Sequence, residues 1–454
     1  MRRQRTVIIG AGSLGRSLAS ALAREGQEVT VIDSDAVRLD GLEGVGDLRP
    51  LVGSATSLRV LRQAGVAEAD VVVALTGEDS ANALVCGLAK RLGARTCIAR
   101  VRDAELAASA QAVGLERIGI DQVISPEGLA VDALARIALS PGCVDAMDLA
   151  EGHIVLRALV VAADAPLAGR SIAEARQQLP GTWLVAALGD ADGWTVPGPQ
   201  DRLLAGEPAY VCAADDDIAR LVPAFDPHAT APRRALIVGA GDIGQPLAAQ
   251  LDRAGLRVQL LEADPARAEQ AALELAAADA GVEVLRGTIA DADLAHRLGL
   301  SDCDLLIAAS AQDQDNLMAA LLARARGVRR ILAVAHHAPT VKLMGSLDID
   351  AVVCPRRLAA SAIQRAVRGK AVAHLARLSD EHLEILELTV AAGARATRHA
   401  LRHLGLPRGC LVLAIADQQG AVRIPGPDAR CQPGDRVVLV CTNEHEALAA
   451  RTFS

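Results

Sequence analysis

The chain repeats itself. The run Val7-Ile8-Ile9-Gly10-Ala11-Gly12-Ser13-Leu14-Gly15 returns as Leu236-Ile237-Val238-Gly239-Ala240-Gly241-Asp242-Ile243-Gly244, and each copy leads to a second apolar run ending in an acid, Asp33 or Glu262. Later segments keep step: Val52-Gly53-Ser54-Ala55-Thr56 with Arg286-Gly287-Thr288-Ile289-Ala290, Asp79 and Asn82 with Asp313 and Asn316, Ser125-Pro126-Glu127 with Cys354-Pro355-Arg356. Toward the end Pro197-Gly198-Pro199 recurs as Pro425-Gly426-Pro427, still at an offset of about 230 residues. A period of that length calls for two copies of one large-plus-small unit and rules out a single core.

Apolar runs of strand length alternate with amphipathic stretches, the pattern of βαβ units around a parallel sheet. The predicted class is α/β: two Rossmann-like, doubly wound parallel sheets over 1–125 and 233–354, each followed by a small α+β domain, 145–227 and 376–454. Helical patterns at 127–139 and 356–369 would bridge each large unit to its small one, and 226–233 reads as the linker between halves. With two Trp, one Tyr and two Phe in 454 residues, the cores must be built from Ala, Val, Leu and Ile. Such residues suit parallel strands covered on both faces.

Charge narrows the function. A net charge of −8 disfavours a nucleic-acid partner, which wants a basic face, and adhesion to anionic lipid. No stretch approaches the roughly 18 uninterrupted apolar residues of a membrane span, so no lipid insertion is expected. Nine scattered cysteines, none spaced CxxC, read as reduced cytosolic thiols, with no metal site.

Each glycine run follows an apolar strand and opens a helix, and its acid stands 18 residues beyond the third glycine, Gly15 or Gly244. In such a turn the first glycine makes the bend, the second lets backbone approach a pyrophosphate, and the third lets helix pack on strand. Amides and helix dipole then hold the phosphate. The first site would comprise Gly10, Gly12, Ser13, Leu14, Gly15, Asp33, Thr56, Thr76, Asp79, Arg100 and Arg102. Asp33 would accept from ribose hydroxyls and repel a 2′-phosphate, which disfavours NADP. Arg100 and Arg102 would donate to phosphate. The second site would comprise Gly239, Gly241, Asp242, Ile243, Gly244 and Glu262; the stretch aligned with the arginines, Ala333 to His337, has none. Asp79 and Asn82, at the start of a helix, are either capping residues or ligand contacts. No catalytic residue is assigned: the partner units are small, and the one tyrosine, Tyr210, lies inside an apolar strand.

These motifs together resemble the TrkA family of peripheral regulatory subunits of Trk potassium-uptake systems, built from tandem RCK (or KTN) domains. The resemblance rests on GAGSLG, VTVID, VGSAT, ADVVVALTGEDSAN, IARVRD, VISPE and their second-half counterparts, and spans essentially the whole chain. It implies NAD(H) as ligand, with ATP or ADP as the alternative. It also implies a homo-oligomer, dimer or tetramer, on the cytoplasmic face of the membrane, gating an integral potassium-channel subunit of the Trk type. Ser54, where the family usually has Asp, and Thr288-Ile289 in the second copy depart from the pattern. The competing readings are an NAD-dependent oxidoreductase and an accessory subunit of a potassium efflux system.

Overall fold

The computed structural model describes residues 3–42, 44, 46–103, 106–107, 109–149, 152–190, 193–368, 372–378 and 383–453. Its first sheet is parallel, with β1 (Arg5–Ile9), β2 (Glu28–Asp33), β3 (Leu48–Val52), β4 (Val71–Ala74), β5 (Thr96–Arg100) and β6 (Gln122–Ile124) in the order β3-β2-β1-β4-β5-β6. The order in which strands are added reverses between β1 and β4, and ligands bind at the carboxyl edge of such a switch point. Register levels that edge. Ile9 pairs with Ile32 and with Ala74, so Gly10, Asp33 and Leu75 emerge side by side.

A five-stranded antiparallel sheet follows, with β7 (Cys143–Leu149), β8 (Ile154–Val160), β9 (Trp183–Asp190), β10 (Gly193–Thr195) and β11 (Pro208–Ala214) in the order β10-β9-β11-β8-β7. The second half repeats both sheets. Strands β12 (Arg234–Val238), β13 (Arg257–Glu262), β14 (Glu283–Arg286), β15 (Leu305–Ala308), β16 (Arg330–Val334) and β17 (Ala351–Val353) form the parallel one, ordered β14-β13-β12-β15-β16-β17. Strands β18 (Val372–Leu378), β19 (Leu383–Thr389), β20 (Cys410–Ala416), β21 (Val422–Arg423) and β22 (Arg436–Thr442) form the antiparallel one, ordered β18-β19-β22-β20-β21. The tandem Rossmann-like architecture read from the sequence is the one observed.

The bridging helices do more than bridge. The first, Pro126–Leu139, starts with Pro126 at its first turn, and the Ser125 hydroxyl accepts the Gly128 N–H; proline at this position is preorganised for a helix start. Its apolar face, Ala130, Leu134 and Ile137 among others, is buried with Ile237, Leu247, Leu251 and Val334 of the second half. The second, Pro355–Arg368, buries Ala359, Ala362, Ile363 and Val367 against Ile8, Leu18 and Leu22 of the first. Each half therefore lends its crossover helix to the other. Burial of Ile363 and Val367 alone stabilises the clasp by roughly 3–6 kcal/mol. Arg330, on β16, seals the exchange by donating to the carbonyls of Ile137 and Ala138 in the last turn of the first crossover helix and of Cys143 at the start of β7. The two antiparallel sheets also meet face to face, with Leu156, Leu184 and Tyr210 in one core with Leu383, Ile385 and Val438.

Among the described residues, no helix is long and apolar enough to cross a membrane.

Candidate functional site

The exchange brings the two carboxyl edges together, and both glycine turns open into one cavity of about 860 Å³. The sequence predicts two separate sites; the structure places them on facing walls.

The turns share a construction. Gly10 and Gly239 have φ of +101° and +103°, backbone that favours glycine. A Cβ at Gly15 would lie 1.9 Å from the Gly10 carbonyl oxygen, and one at Gly244 1.8 Å from that of Gly239. Any side chain there would force helix and strand apart. Gly12 and Gly241 differ in kind: a Cβ at either meets nothing within 4 Å, and both line the cavity. A side chain at Gly12 would take up cavity space and nothing else. The helix Ser13–Arg24 begins there with Gly12 as N-cap and no side-chain cap. Its first amides have no intrahelical acceptors, and the positive end of its dipole faces the cavity.

Asp33 is 7% exposed yet lines the cavity. Its Oδ2 accepts the Ala11 N–H at 2.6 Å and its Oδ1 the Asp35 N–H at 2.9 Å. The acid thus holds the glycine turn, while each oxygen keeps a further lone pair for a hydroxyl. Glu262 holds Ala240 N–H in the same way at 2.8 Å, but its other oxygen accepts both Asp264 N–H and the Arg267 guanidinium. It does not line the cavity, and neither do Gly239 and Gly244.

The polar pair after the fourth strand is scaffolding in both halves. Asn82, fully buried, accepts from the Thr76 N–H and hydroxyl and donates to the carbonyls of Thr76 and Arg100. Asn316 makes the same backbone bonds to Ser310 and Val334. Asp79 accepts the N–H groups of Arg102 and Asp103 and Asp313 those of His336 and His337. Each carboxylate so pins the loop after the fifth strand of its sheet. Glu78, not Asp79, is the N-cap, and Asp79 lies against a smaller neighbouring cavity.

Arg100 and Arg102 both reach the main cavity. Arg100 pairs with Glu127 at 3.3 Å, and its Nε, like the Glu127 Oε2, is buried without a hydrogen-bond partner. Arg102 reaches across to Asp242 of the second turn at 3.9 Å. Gly10, Ser13, Leu14, Gly15, Thr56, Thr76 and Ile243 complete the predicted residues on the lining.

Four carboxylate or guanidinium side chains on the lining lie outside the predicted site residues: Arg38, Glu78, Glu127 and Arg356. For the last two the signal was present. They occupy the same place in the repeat, just after Pro126 and Pro355, with opposite charge.

The architecture and the duplicated turns agree with comparison to known proteins. The model of the TrkA-N domain matches residues 6–126 and 235–355, more than half of the chain, and that of the TrkA-C domain matches 385–454. The chain belongs to the TrkA-N domain family. It is 29% identical over 438 residues to a Trk system potassium uptake protein TrkA of Halomonas elongata, covering 95% of this chain and 94% of that one. A protein of the same name from Vibrio alginolyticus is 29% identical over 445 residues, covering 96% of each. Among solved structures, the GsuK RCK domain superposes with a TM-score of 0.62 at 22% identity, covering all of this chain and 95% of that one. The GsuK channel bound to NAD gives 0.63 at 21%, covering all of this chain and 79% of that one. At those identities the likeness establishes the fold.

Proposed function

We propose that the chain is a nucleotide-responsive regulatory subunit of a potassium-uptake system, binding NAD(H), or ATP or ADP, at the first glycine turn. The observation that carries this reading is the uncapped helix mouth at Gly12, open to a cavity whose lining sets Arg100 and Arg102 near it and Asp33 at its rim. The residues fit the ligand. Phosphate would take the free amides and the guanidinium groups of Arg100 and Arg102 on the lining, and ribose the spare lone pairs of Asp33. Asp33 also argues against a 2′-phosphate.

The potassium system comes from the relatives' names, which span nearly the whole chain. Its pore would be a separate membrane subunit of the Trk type, and the assembly a homo-oligomer, dimer or tetramer, at the cytoplasmic face. A ligand lodged between two halves shifts their arrangement to the extent that its affinity differs between arrangements. The enzymatic alternative draws nothing from Tyr210, whose hydroxyl donates to Asp145 inside the first small domain.

Thermal protection by NADH, NAD, ATP and ADP tests the site. A ligand at 100 times its Kd stabilises by about 2.7 kcal/mol; Gly12→Val and Asp33→Ala should abolish that protection. Wild-type protection in both variants would overturn the assignment. Ligand-dependent potassium flux in vesicles holding a Trk-type channel subunit tests the role, and steady NADH consumption without that subunit would favour the enzyme.

A further inference from the structure

We infer that the second glycine turn takes no phosphate of its own but forms the far wall of the first site, so that each chain binds one nucleotide, with Asp242 setting that count. The inference rests on the proposed binding at Gly12 and adds to it a stoichiometry.

The first and third glycines of the two turns share their geometry, but the helix starts at Ser13 in the first half and only at Gly244 in the second, so the second mouth differs in backbone as well as in side chains. Where the first half has Ser13, the second has Asp242, immediately after the open glycine. An acid at a helix N-terminus is stabilised by the same amides and dipole that would receive a phosphate. Its side chain is 64% exposed and lines the cavity, so its charge stands at the mouth. Like charges brought together at a binding surface cost several kcal/mol, a weakening of roughly 100-fold or more.

Most other groups that could offset this charge are engaged elsewhere. Arg102 is the cation paired with Asp242, and it belongs to the first half. Arg267 is held by Glu262, and neither lines the cavity. The His337 Nδ1 lies 2.9 Å from Asp313. Arg356 also lines the cavity, from the start of the second crossover helix, in the place that Glu127 holds in the first half. The second wall can close over a ligand seated on the first and supply it with Arg356, but it cannot seat a second one.

Titration calorimetry on the full chain, with NADH and with ATP as separate probes, counts the sites. The wild type should take up one equivalent per chain. Asp242→Ser, which gives the second mouth the first mouth's residue, should take up two, and Asp242→Asn, which keeps the shape and removes the charge, should do the same. Adding Gly12→Val to Asp242→Ser should leave one equivalent, now in the second half. Two equivalents in the wild type, or one in both Asp242 variants, would overturn the inference while leaving nucleotide binding in place. No uptake of either probe by the wild type would instead sink the proposed function itself.

Discussion

Asn82 and Asn316 serve the same purpose in the two halves, while Ser13 and Asp242 do not. The first pair closes identical backbone networks behind the cavity; the second pair sits at its lip, one neutral and one charged. The same contrast runs through the molecule. Glycine geometry, the acid that holds each turn and the carboxylate that pins each loop are kept, whereas Arg100 and Arg102 face a second copy with histidines in that stretch. The two copies agree in what holds the backbone up and differ in what faces the cavity. Buried polar groups tolerate little change because each lost partner leaves a desolvated donor or acceptor. Groups at a cavity rim carry no such penalty.

That contrast can be broken experimentally. The largest effect belongs to the third glycines: Gly15→Val and Gly244→Val should each destabilise by about 3–5 kcal/mol, measured by denaturant unfolding. Gly12→Val and Gly241→Val should cost under ~1 kcal/mol, since the new side chain meets only cavity. Unequal losses at Gly15 and Gly244 would show that the halves differ in frame as well as in charge. Next comes Arg330, whose counterpart in the first sheet is Thr96 by register. Arg330→Leu strips three carbonyls of their donor and should cost about 3 kcal/mol; Thr96→Ala should cost under ~1 kcal/mol.

Asn82→Ala and Asn316→Ala should each cost about 2 kcal/mol, and similar values would confirm a shared scaffold. The smallest effect is on pH. Burial pushes the Asp313 carboxyl up, but the His336 N–H and the His337 ring outweigh it and hold it below the ordinary carboxylate range. A carboxyl lowered by folding adds stability above its unfolded value, at about pH 4, and surrenders it as pH falls through the lower folded value. Stability should therefore decline from about pH 4 downward, and Asp313→Asn should flatten that decline in an acid titration.

Much of this was legible beforehand because glycine spacing and strand-end acids are local signals. Gly10, Gly12 and Gly15 stand where a strand–turn–helix requires them, and the repeat reported itself through Gly239, Gly241 and Gly244. The crossover helices were also visible as amphipathic stretches, but not their destinations. Ile363 carries no mark in its own segment that it will pack on Ile8 and Leu18, more than 300 residues earlier. Once the helices are exchanged, the two mouths must face each other, and this too lay beyond a local reading. Nor does spacing reveal that Asp33 holds the Ala11 amide, or that Arg102 finds Asp242.

The exchanged helices bear on how the chain can be divided. A fragment ending in the 226–233 stretch would carry a helix made for a surface it no longer has, and would leave bare the groove made for Pro355–Arg368. Two such fragments, supplied separately, are each other's missing piece, whereas either alone offers a sticky seam to copies of itself.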